Sequence, residues 1–168
     1  MSIRVWMVLG TMLALAGVPG YAKSKSACPC EVAKQAAAYL TDIRQGAMDA
    51  QDQADQISAY LRSSATPDWD ALGAELSYLE DNVRGIRQNL LRFERAEPTL
   101  TAGQSADLER LKGGLATLTI FLNNTYQLLA ERPPATALPK FEANAAAMRL
   151  RGRIIAEAAK DLRSKLAV

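Results

Sequence analysis

The sequence predicts an all-α fold: an antiparallel up-down-up-down four-helix bundle, preceded by a cleaved signal peptide. Three observations predict it. Apolar residues recur three and four apart in four stretches of similar length, a spacing that gathers them on one helical face. Prolines and short polar segments separate the stretches, and short connections make successive helices antiparallel neighbours. No alternating strand pattern and no Asn-Gly hairpin signal competes.

The stretch from Thr101 to Arg132 is the clearest of the four. Leu108, Leu111, Leu115, Leu118, Leu122 and Leu129 share one face, and Thr125 fills the gap between the last two. Thr101, with Gln104 three residues later, forms a capping box that satisfies backbone donors left free in the first turn. Pro133-Pro134 ends the helix, because proline lacks an N–H and pushes its predecessor out of the α region. Leu100-Thr101-Ala102-Gly103-Gln104 also resembles the LTxxQ motif of a family of all-helical bacterial periplasmic stress proteins and chaperones. The resemblance covers five residues and has no second copy, since Leu40-Thr41 is followed by Arg44 where Gln is required. It implies a helical, chaperone-like protein of the periplasm.

The first helix is expected from about Glu31 to Arg62, with Val32, Ala36, Tyr39, Ile43, Ala47, Ala50, Ala54, Ile57 and Leu61 facing inward. Its middle carries little side-chain volume, at Gly46, Ala47, Ala50 and Ala54. The second is expected from about Pro67 to Glu97, with Thr66 as N-cap and Pro67 at the first helical position. Leu72, Leu76, Leu79, Val83, Ile86, Leu90 and Phe93 keep a heptad spacing there. Asp68, Asp70 and Glu75 near its start and Arg92 and Arg95 near its end complement the helix dipole. After the third helix, three prolines stiffen the connector PPATALP. The fourth helix is expected from about Lys140 to Leu166, with Phe141, Ala145, Met148, Gly152, Ile155, Ala159, Leu162 and Leu166 inward.

Residues 1–22 read as a secretory signal: Arg4, then an apolar run from Val5 to Val18, then the small residues Gly20 and Ala22 at the −3 and −1 positions of a cleavage site. The run is short for a bilayer span. Residues 23–30 form a flexible arm carrying Cys-Pro-Cys, and residues 31–168 form the bundle. The expected location is therefore periplasmic or secreted, with no stable membrane insertion after cleavage. The net charge is +2, which singles out no partner. Basic residues lack aromatic interleaving, so nucleic acid is not expected. There is no histidine, which excludes a His-based catalytic triad and His-ligated zinc. No nucleophile–base pair or phosphate loop can be assembled, so no enzyme, cofactor or metal is expected.

Three features remain as candidate sites. Cys28 and Cys30, the only cysteines, form a disulfide, redox or metal-binding candidate, with reactivity set by a nearby helix N-terminus. The small-residue waist is either a close helix–helix contact or a core pocket for an apolar ligand, lined by Ala47, Ala50, Ala54, Leu118, Met148 and Gly152. A second stripe on the fourth helix, with Ala147, Leu150, Arg151 and Ile154, is a candidate partner surface for a homodimer or an envelope protein. The expected function is a non-enzymatic binding, scaffold or chaperone-like protein of the cell envelope.

Overall fold

The computed structural model describes residues 28–63, 67–131 and 135–166. The expected signal peptide and most of the arm lie outside them. Four helices account for nearly all of the described chain: α1 Pro29–Ser63, α2 Trp69–Arg95, α3 Ala102–Ala130 and α4 Leu138–Leu166. A 3-10 turn, Ala135–Ala137, leads into α4. Among the described residues there is no strand, and no helix is long and apolar enough to cross a membrane.

The helix ends follow local chemistry, with two differences from expectation. α1 starts at Pro29, ahead of the expected Glu31, so Cys30 belongs to its first turn rather than to the arm. Proline tolerates that position because the first N–H groups of a helix have no intrahelical partner. α2 is capped by Asp68, whose carboxylate accepts from the backbone N–H of Asp70 at 2.9 Å and of Ala71 at 3.2 Å. Pro67 therefore precedes the helix, and Thr66 lies outside the described residues. A carboxylate immediately ahead of the helix outcompetes the proline signal because it satisfies two orphan donors at once. At the other end, Glu97 takes a left-handed φ of 47° before Pro98, a cap conformation that turns the chain out of α2.

The capping box at α3 is present in full. Thr101 accepts from the N–H of Gln104, and the Gln104 side chain accepts from the N–H of Thr101 at 2.7 Å. The other end of that glutamine donates to the carbonyl of Lys165 at 2.8 Å. One side chain thus joins the start of α3 to the end of α4, as antiparallel neighbours require.

The four helices pack as a ring. α1 lies against α2 and α4, and α3 lies against α4 and, much more slightly, α2. The diagonal pairs make no backbone contact. At the mouth of the bundle Trp69 and Phe141 stack across the diagonal with ring centroids 5.4 Å apart. All seven expected core residues of α2 are buried. In α1, Leu40 joins the core although the sequence pattern passed it over, and Val32 and Tyr39 sit at its rim. In α4, Ala158 is buried as well. These extra positions widen the apolar stripe, because α1 and α4 each pack closely against two neighbours, whereas α2 and α3 meet only slightly.

Candidate functional site

Cys28 and Cys30 are both exposed, and both thiols are free, so the local disulfide is not formed in this structure. The Cys28 carbonyl accepts from the N–H of Glu31 at 2.7 Å and of Val32 at 3.1 Å. Cys28 thereby takes the N-cap place, and Cys30 follows in the first turn. Among the described residues no group of three Cys, Asp or Glu side chains gathers as a metal site would need.

The structure brings the waist residues into one core. Ala47, Ala50, Ala54, Leu118 and Met148 are fully buried, and Gly152 is buried with them. A Cβ placed on Gly152 would stand 2.9 Å from the carbonyl oxygen of Ala47 and 3.2 Å from the nitrogen of Gln51. At this level the two backbones touch, and the small residues serve close approach. On α3, Gly114 makes room for a side chain instead: a Cβ there would meet Cγ1 of Ile155 at 2.9 Å.

Of the stripe on α4, only Leu150 stands mainly in water. Leu150 is 52% exposed; Ala147 and Ile154 are half-buried, Ile154 beside Gly114 of α3. Arg151 is half-buried too, and its Nε is buried without a hydrogen-bond partner. The structure adds a residue from another helix. Gln104 pairs with Lys165, Arg110 with Asp161 and Gly114 with Ile155; the same register puts Ile120 level with Leu150. Ile120 is 56% exposed. The sequence pattern of α3 hides it, since its leucines mark the core and leave Ile120 unassigned. At one end of this face, charges are paired within the chain. Arg110 reaches Glu157 and Asp161 at 3.9 and 3.7 Å, and Arg153 reaches Glu157 at 2.9 Å. The Arg153 hydrogen bond outweighs a small desolvation penalty and holds the Glu157 carboxyl below its ordinary range.

The slack seam between α2 and α3 carries a second arrangement. Three side-chain rungs cross it: Glu94 with Lys112 at 2.7 Å, Arg87 with Thr119 at 3.3 Å and Glu80 with Tyr126 at 3.1 Å. The rungs stand seven residues apart on both helices, or about 10.5 Å along the axis. Lys112 is raised above its ordinary pKa, chiefly by its hydrogen bond to Glu94 and against some desolvation. Burial, helped by the hydrogen bond to Glu80, pushes Tyr126 up to about 12.

Between the Arg87 and Glu80 rungs lies a cleft of about 340 Å³, lined by Val83, Arg84, Leu122 and Asn123 along with the rung residues. Sequence reasoning offered a pocket at the α1–α4 waist as the alternative to close packing there, and missed this cleft. The legible signal was polar residues at heptad spacing beside the core positions of α2 and α3, where coiled-coil flanking pairs sit. No family model, no curated protein and no solved structure matches the sequence.

Proposed function

We propose that this chain is an exported, non-enzymatic binding protein of the cell envelope, and that its α3–α4 face receives a protein partner. One observation carries the reading: Ile120 and Leu150, on adjacent helices and at one level, each leave more than half of their surface in water. Exposed aliphatic surface gains about 25 cal/mol per Å² when covered. Alanines at 143 and 147 and a glycine at 113 let a second helix approach closely.

The first partner to consider is another copy of the chain. Charges beside the face are neutralised internally by the Arg110, Arg153, Glu157 and Asp161 network. A surface of that kind meets its own copy across a two-fold axis without like-charge repulsion. Export rests on residues 1–22 alone. The non-enzymatic reading rests on a sequence without histidine, from which no His-based triad can be built.

Sedimentation of the wild type, Leu150→Asp and Ile120→Asp tests this. Self-association lost in both variants, with helical circular dichroism unchanged, is the expected result. A wild type that stays monomeric at all concentrations moves the reading to a different envelope partner. Site-specific crosslinking from position 150 in the native compartment then decides it, and an absence of crosslinks ends it. Intact mass of the exported protein reports on the signal: a chain starting at Lys23 is expected.

A further inference from the structure

We propose that the cleft between α2 and α3 binds a small monocarboxylate with an apolar tail, and that Arg87 takes the carboxylate. The side-chain ladder itself points to the missing group. In the rungs on either side, a donor faces a carboxylate: Lys112 meets Glu94 and Tyr126 meets Glu80. In the middle rung Arg87 faces only the hydroxyl of Thr119. That hydroxyl already donates to the carbonyl of Leu115 at 2.9 Å, so it serves Arg87 as a neutral acceptor and nothing more. The neighbouring Arg84 is held by Glu80 at 3.2 Å and Asp81 at 3.1 Å. Among the described residues Arg87 has no acidic partner. One carboxylate is wanting from an otherwise regular series.

The cleft beside Arg87 has the chemistry to accept that group from a ligand. Its floor is Val83 and Leu122, which at 4% and 2% exposed present a narrow apolar strip, enough for a short hydrocarbon tail. Above it, the Arg87 guanidinium has donors to spare, since its planar fork carries five N–H groups and matches a carboxylate geometrically. Asn123, an exposed neighbour on α3, lines the same space with an amide. The volume of about 340 Å³ lies at the small end of ligand pockets, which run from about 300 to 1,000 Å³. A short chain fits better than a long lipid. Glu80 closes the far end and disfavours a second negative charge there, hence a monocarboxylate. This site is separate from the α3–α4 face and does not depend on it.

The test titrates isotope-labelled protein with octanoate and, as the uncharged control, octanol, following backbone amide shifts. Octanoate should move the amides of Val83, Arg87, Leu122 and Asn123 to saturation, with octanol about fivefold weaker or worse. Arg87→Gln should weaken octanoate about fivefold and leave octanol unchanged. Thr119→Glu supplies the absent rung from within the chain; it should abolish octanoate binding while circular dichroism stays that of the wild type. Octanol binding as well as octanoate, shifts confined to another surface, a Thr119→Glu variant that still binds, or no shifts throughout the titration would each overturn the proposal.

Discussion

The carbonyl oxygen of Ala47 and the α-carbon of Gly152 face each other across the α1–α4 seam with no room for a methyl group between them. A Cβ at residue 152 would lie 2.9 Å from that oxygen, and backbone cannot swing aside as a side-chain tip can. Gly152→Ala should therefore destabilise the bundle by about 1–3 kcal/mol, although alanine is the better helix former by about 1 kcal/mol. Gly85 offers the control: nothing lies within 4 Å of a Cβ there. Gly85→Ala should gain about 0.5–1 kcal/mol from helix propensity alone. Urea midpoints of the two variants should move in opposite directions; equal shifts would mean the helices are looser than described.

Gln104 joins two helices through the two ends of one amide, accepting from Thr101 N–H and donating to the Lys165 carbonyl. It is only 7% exposed, so water replaces neither bond freely. Gln104→Ala should cost about 1–3 kcal/mol, with faster amide exchange in the last turn of α4. Gln104→Glu keeps the acceptor and loses the donor, and should fall between. Protection of α4 unchanged in both variants would refute this linkage.

Tyr126 should make stability depend on alkaline pH. Its folded-state pKa is pushed up to about 12, while in the unfolded chain it is near the ordinary value of about 10. Between those values the folded state keeps a proton that the unfolded state loses, so stability falls as pH rises. The contribution is complete below about pH 10 and is lost through about pH 12. Tyr126→Phe removes this component. The wild type should lose more stability than the variant over that window, measured by chemical denaturation at each pH. Parallel curves would show that Tyr126 titrates as in the unfolded chain.

Cys28 and Cys30, exposed and free, should both react with a colourless-to-coloured disulfide reagent in the folded, reduced protein as fully as in urea. A thiol hidden until denaturation would contradict the exposed position of the α1 N-terminus. Formation of disulfide-linked dimers on mild oxidation would follow from the same exposure.

Much of the fold was legible because burial and helical periodicity act on the same residues. The heptad of α2 named all of its buried residues, from Leu72 to Phe93. The Thr101 and Gln104 pair marked the start of α3 correctly, since a capping box is a local device. Leu40 and Ala158 were passed over, because α1 and α4 pack closely against two neighbours each and bury a wider stripe than the pattern counts. Thr66 and Pro67 gave the wrong start for α2, since Asp68 competes locally and the outcome depends on the turn geometry.

Of the candidate sites, Leu150 and Ile154 were readable as apolar residues off the core stripe. Their neighbour Ile120 was not, because only the register of α3 against α4 brings it level. The ladder across α2 and α3 was written at heptad intervals, yet which residues pair follows from the antiparallel alignment of two separate helices.

By itself, then, the order of residues determined four amphipathic helices, most of their ends and most of the core, through interactions between groups at most a turn or two apart. The tertiary structure decided which seam closes on bare backbone at Gly152 and which stays slack beside Arg87. That choice depends on how four cylinders share one interior. Volume removed at one contact draws two helices together, and the chain does not show in advance where the opposite pair is left apart.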